Sequence, residues 1–137
     1  MIVVLVVEDE VIVAYCSAAM LEDAGHTVLG PVHTARDALE LASKRAPEVA
    51  LIDVDLEFPS AGIGLARQLR TLYGTAVVFT TGQMAVARAH SDIAVAMISK
   101  PYDPSELPQI VASAAAIRRR CALRSRNAGS PALTPSS

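Results

Sequence analysis

The sequence predicts an α/β protein, a doubly wound five-stranded parallel sheet with helices on both faces. Three observations predict it. Short apolar runs alternate with segments of helical period along the chain, a pattern that calls for parallel strands joined by right-handed crossovers. The runs are apolar at successive positions, as strands buried on both faces must be. Several of them stop at a carboxylate, a hydroxyl or an amine, and ligands of open parallel sheets sit at the carboxyl ends of the strands.

Ile2 to Val7 is a continuous, mostly β-branched run and reads as the first strand. It ends in Glu8, Asp9 and Glu10. From Val11 the period changes to that of a helix with a broad apolar stripe, stopped by Gly25. Thr27 to Val32 is a second short strand, closed by Pro31. Thr34 stands three residues before Asp37, a capping pattern, and Ala38, Leu41 and Ala42 carry a helix toward Pro47. The central strand follows as VALIDVD, residues 49–55, where four apolar residues run straight into Asp53. A carboxylate is costly beside a core unless something compensates it.

Glu57 to Gly64 reads as a loop, with one proline and two glycines. Leu65, Ala66, Leu69 and Leu72 give a third helix, ended by Gly74. Thr75 to Thr80 is the fourth strand and Gly82 breaks it. Gln83 to His90 reads as a short, weakly amphipathic helix. Ala94 to Ser99 is the fifth strand and runs into Lys100-Pro101. Asp103, Pro104 and Glu106 then make a helix start. Leu107, Ile110, Val111, Ala114, Ile117 and Cys121 form its apolar stripe, with Pro108 as a mild violation. From Ser125 the periodic pattern stops, so the expected organisation is a folded domain over 1–124 and a disordered tail over 125–137.

Length and charge narrow the function. A chain of 137 residues with 52% hydrophobic content fits one self-supporting globular domain. A formal net charge of -2 gives no bulk attraction to nucleic acid or anionic membrane. Cys16 and Cys121 lack metal-site spacing, so buried or inert thiols are expected. The start MIVVLVVEDE has no basic region and meets acids at once, unlike a signal peptide or a span. The expected location is therefore the cytoplasm, with no membrane partner.

A parallel sheet would gather Glu8 and Asp9 from strand one, Asp53 from strand three, Thr80, Thr81 and Gly82 from strand four, and Lys100 from strand five. Three carboxylates in one pocket repel, so a pKa rises or a cation binds. Hard oxygen ligands with room for water suit Mg2+. A carboxylate beside Mg2+, an ammonium and a hydroxyl is equipped for phosphoryl transfer, the carboxylate attacking while the cations neutralise phosphoryl oxygens.

VVEDE at 6–10, LIDVDL at 51–56, VVFTTG at 77–82 and SKPYDPSEL at 99–107, in that order and spacing, resemble the receiver domain of bacterial two-component response regulators. The resemblance covers about residues 1 to 123. It implies a flavodoxin-like receiver fold with strand order 2-1-3-4-5. It makes Asp53 the phosphoacceptor, fed by a sensor histidine kinase or a histidine phosphotransfer protein. Glu8 and Asp9 would hold Mg2+ with Asp53 and the backbone carbonyl of Asp55. Thr81 would be the switch hydroxyl, Lys100 would contact phosphoryl oxygen, and the Lys100–Pro101 bond would be cis. Two features depart from the family: Met97 replaces the aromatic switch residue often found three positions before the lysine, and the loop after Asp55 is slightly long.

The expected function is a stand-alone response regulator, not an enzyme beyond Mg2+-dependent self-phosphorylation and slow autodephosphorylation. It would signal to a downstream protein, or to a second copy of itself, through the face of helix four, strand five and helix five. No nucleic acid is expected. The Arg-rich stretch of Arg118, Arg119, Arg120, Arg124 and Arg126 reads as a solvated helix end matched to its dipole, since no aromatic residues interleave it. His26, His33 and His90 fall near turns and read as solvent-facing. The main rival is a haloacid dehalogenase-type phosphatase using Asp53 and Asp55 as nucleophile and general acid/base. Its motif belongs on a first strand, and no cap domain fits in this chain. A passive phosphate sink and an unphosphorylated binding module are further alternatives.

Overall fold

The structure is a computed structural model that describes residues 1–58 and 60–133, with side chains described as far as residue 124. Strands β1 (Val3–Val7), β2 (Thr27–Val32), β3 (Val49–Asp53), β4 (Ala76–Thr81) and β5 (Ala94–Ser99) form one sheet in the order β2-β1-β3-β4-β5. Every pairing is parallel. The helices are α1 (Val11–Asp23), α2 (Ala35–Lys44), α3 (Ala61–Tyr73), α4 (Met84–Arg88) and α5 (Leu107–Leu133), the last preceded by a short 3-10 turn at Pro104–Glu106.

The unbroken apolar runs have a direct cause. Alternate residues of each strand enter different cores. Leu5, Val7, Ala50, Ile52, Val77 and Phe79 pack on one face with α2, α3 and Ala87 of α4. Val4, Val6, Val49, Leu51 and Val78 pack on the other with Leu21 of α1 and with Leu107 and Val111 of α5. Both sets need apolar residues, so no polar alternation survives. The outer strands β2 and β5 are mostly only half-buried, and β2 accommodates Pro31 because an edge has free positions for a missing donor.

Predicted caps form: Thr34 Oγ1 accepts from the Asp37 amide at 3.1 Å, and Asp103 Oδ1 accepts from the Ser105 amide at 3.0 Å. Pro108 is the second residue of α5, where no intrahelical donor is missed, so it violates nothing.

Four expectations need correction. Helix α3 starts at Ala61, inside the stretch read as loop. Gly62 explains this: a Cβ there would collide with the carbonyl oxygen of Asp53 and lie 3.0 Å from that of Val54. The glycine is a packing requirement inside a helix, and in a bare sequence it looks like a breaker. Helix α4 is only Met84–Arg88, with Ala87 its one buried residue; the next buried side chain, Ile93, lies beyond it in the turn before β5. Cys16 and Cys121 are both exposed. Helix α5 continues through Leu133, into the predicted tail, across Gly129 and Pro131, residues of low helix propensity. Residues 134–137 of that tail lie outside the described residues.

Candidate functional site

The carboxyl ends of β1, β3, β4 and β5 converge on an open crevice of about 550 Å3, lined by Asp9, Glu10, Asp53, Asp55, Gly82 and Lys100. Asp53 is only 2% exposed and closes β3. Its Oδ1 accepts from the Asp55 amide at 2.9 Å, and its Oδ2 accepts from Lys100 Nζ at 3.1 Å. Lys100 is placed by its own backbone, whose amide donates to the Thr81 carbonyl at 2.8 Å. Its ammonium also lies 2.8 Å from Glu8 Oε1 and 3.7 Å from Glu10 Oε1.

Burial sets the electrostatics. It pushes the Glu8 carboxyl up to about 7; Lys100 opposes that rise and the adjacent Asp53 adds to it. Burial also works against the charge of Asp53, but Glu8, the Asp55 amide and Lys100 outweigh it and hold this carboxyl below its ordinary range. Lys100 is disfavoured as a cation by burial, yet Glu8 and Asp53 raise it above its ordinary value, so it stays charged. Two adjacent carboxyls are thus pushed in opposite directions, Glu8 toward its protonated form and Asp53 toward its charged one.

Glu8, Asp9 and Asp53 bring one carboxylate oxygen each within 4.8 Å of one another. Glu8 Oε1 is buried and makes no directed hydrogen bond among the described residues, although the Lys100 ammonium lies 2.8 Å away. Three acidic side chains, two buried and one exposed at the mouth of an open crevice, fit a hard divalent cation.

The sequence-predicted residues mostly assemble. Asp53 pairs in register with Thr80, and Thr81 with Ser99, just before Lys100. Thr81 is fully buried; its hydroxyl accepts from the Gln83 amide at 2.9 Å. The Lys100–Pro101 bond is cis, as is Gly30–Pro31. Asp55 is exposed at the rim, and Met97 is half-buried against the α3 side of the sheet. The arginines of α5 are engaged in part: Arg118 Nε donates to the Gly74 carbonyl at 3.0 Å, and Arg119 lies 3.5 Å from Glu48.

Several contacts escaped sequence reasoning. His33 Nδ1 lies 2.8 Å from the Glu8 carbonyl oxygen, and His26 Nδ1 accepts from the Ile2 amide at 3.2 Å, so neither is simply in solvent. Ser17 Oγ and Tyr102 Oη are 2.9 Å apart and tie α1 to the turn after Lys100. The sequence signal for that pair was a polar residue on the apolar stripe of α1, where a buried hydroxyl needs a partner.

Comparison with known proteins agrees with this geometry. The family model of the response regulator receiver domain matches residues 4–112. The phyllosphere-induced regulator PhyR of Methylorubrum extorquens is 27% identical over 114 residues, covering 81% of this chain and 42% of that protein. The transcriptional regulatory protein PdtaR of Mycobacterium tuberculosis is 29% identical over 107 residues, covering 76% of this chain and 52% of that protein. The chain therefore spans about half the length, or less, of these curated relatives. Among solved structures, NtrX from Brucella abortus in complex with ADP superposes with a TM-score of 0.80 at 25% identity, over 91% of this chain and 28% of that one. A CheY-like receiver domain protein from Methanospirillum hungatei superposes with a TM-score of 0.77 over 88% of this chain and 98% of that one; at 22% identity it speaks for the fold.

Proposed function

The chain belongs to the response regulator receiver domain family of two-component systems, and from that premise we propose that it accepts a phosphoryl group on Asp53 from a phosphohistidine of a sensor kinase or a phosphotransfer protein. One observation carries this reading: a charged carboxylate, almost wholly buried, lies 3.1 Å from a lysine ammonium at the wall of an open crevice.

A carboxylate oxygen of Asp53 attacks phosphorus as the donor's P–N bond breaks, and the imidazole leaves with a proton from solvent. Lys100 contributes by turning its ammonium from Asp53 Oδ2 to the incoming phosphoryl oxygen. Glu8, Asp9 and Asp53, with the backbone carbonyl of Asp55, would hold Mg2+, which supplies charge neutralisation of the phosphoryl oxygens. The amide of Asp55 keeps Asp53 aimed by its bond to Oδ1. The Thr81 hydroxyl, now bonded by the Gln83 amide, would turn to the new phosphoryl group as the switch.

Added charge on Asp53 is then felt at both ends of one surface, since Thr81 precedes α4 and Lys100 closes β5. We read the α4, β5 and α5 face as the output surface, with Met97 repacking in place of the usual aromatic residue. Its partner is a downstream protein or a second copy of the chain. We place no nucleic acid among its partners, since the net charge is -2 and no aromatic residues interleave the arginines of α5.

Incubation with acetyl phosphate and Mg2+, followed by mass spectrometry, tests the central step. A single phosphoryl group on Asp53, lost in Asp53→Asn, is the expected result. Undiminished labelling of that variant at another residue would overturn the assignment of Asp53, and rapid multiple turnover of phosphate would favour a phosphatase.

A further inference from the structure

We infer that Glu57 is a positioning residue for the cation: its side chain fixes the loop that presents the Asp55 carbonyl, an inference that rests on the Mg2+ reading above. Glu57 has φ of 54° and is the one non-glycine residue with positive φ among the described residues. That conformation costs a side-chain-bearing residue of order 1 kcal/mol and persists only where its surroundings impose it.

Here they do. Glu57 Oε1 accepts from the Ala35 amide at 2.7 Å. Ala35 is the first residue of α2, so a carboxylate meets an unpaired donor at the positive end of a helix. The bond is short and charge-assisted, the stronger kind. It reaches across 22 residues of sequence, from the phosphoacceptor loop to a different helix.

The same loop is gripped elsewhere. Leu56 is fully buried. The Leu56 amide donates to the Asp53 carbonyl at 3.2 Å, and the Asp55 amide to Asp53 Oδ1. Gly62 presses the start of α3 onto the carbonyls of Asp53 and Val54. Asp55 itself is exposed and has no buried side chain to hold it. Its carbonyl is therefore aimed by its neighbours, with Glu57 as the outer anchor. Outer partners of this kind orient ligands without touching the ion.

The test uses Mg2+ alone, titrated into the metal-free chain of residues 1–137 and followed by amide chemical shifts. Ala35 amide exchange and thermal denaturation are measured on the same samples. E57G removes the carboxylate without strain at the positive φ, and E57A and E57Q separate that loss from the added backbone freedom of glycine. E57G should lose Ala35 protection and bind Mg2+ about tenfold more weakly, the lower end of the cost of removing an outer-shell partner. E57A should behave alike, and E57Q, whose amide oxygen still accepts the bond, should retain most of the affinity. Wild-type affinity in E57G despite lost Ala35 protection overturns the inference. So does a fall in thermal stability with Mg2+ affinity unchanged, which would make the contact purely structural. If the wild-type protein binds no Mg2+, the reading of the site falls first and this inference with it.

Discussion

Mg2+ binding to this chain should release a proton, and its affinity should rise with pH through neutrality. Glu8 is the source. Its carboxyl is pushed up to about 7 by burial beside Asp53, so below that pH the ion must displace a proton before Glu8 can ligate it. One displaced proton gives an apparent dissociation constant proportional to one plus the ratio of protonated to ionised Glu8. For a pKa of about 7 that factor is roughly 11 at pH 6 and 1.1 at pH 8, an affinity change of about tenfold. The sign is fixed: weaker binding in acid, with close to one proton released per ion at pH 6 and little at pH 8. Calorimetric titration of the metal-free protein in two buffers of different ionisation enthalpy reads the proton count directly. Glu8→Gln should bind more weakly and lose the pH dependence in this range. A flat affinity between these pH values, with no proton released, would refute the assignment of the proton to Glu8. The metal-free protein should show the linked effect on stability. A carboxyl raised from 4.5 to about 7 on folding stabilises the fold fully below the unfolded value, and that contribution is lost as pH rises through the folded one.

Lys100→Met removes the ammonium that compensates Glu8 and Asp53; it should destabilise the metal-free protein by about 3 kcal/mol, slow labelling of Asp53 by acetyl phosphate and tighten Mg2+ binding, all checked by chemical denaturation, mass spectrometry and calorimetry. Gly62→Ala forces a Cβ against the Asp53 and Val54 carbonyls and should cost about 2 kcal/mol or more in a denaturant titration. Ser17→Ala and Tyr102→Phe should each cost about 1 kcal/mol, and the double variant should cost little more than either, because both remove one bond.

The sheet was legible because both of its faces are covered. Where every strand position must be apolar, the runs themselves mark the strands, as at Val3–Val7 and Val49–Asp53. The candidate site was legible for a related reason: Glu8 and Asp53 are carboxylates at the ends of such runs, Lys100 directly follows β5, and parallel pairing brings all three to one edge. What failed to show were features decided by contacts across the chain. Gly62 looks like a loop residue until the carbonyls it must clear are placed beside it. The exposure of Cys16 depends on which side of α1 faces α5. Glu57 and Ala35 have no reason in sequence to be associated, since their bond joins a loop to the start of α2 and only the folded sheet brings the two together. Met97 was singled out by what it replaces, and it does pack at half burial against the α3 side.

The depth of burial falls off sharply from the middle of the sheet to its β5 edge. Strands β1, β3 and β4 are buried throughout, whereas β5 is mostly half-buried or exposed and α4 has five residues with one buried side chain. Local opening should therefore be graded, since segments with few buried contacts open at far lower free energy than the core. Amides of α4 and β5 should exchange with deuterium by fraying of that flank alone, and those of β3 and β4 only on global unfolding. Lys100 follows β5 directly, so opening of that flank should also loosen the ammonium's hold on Asp53.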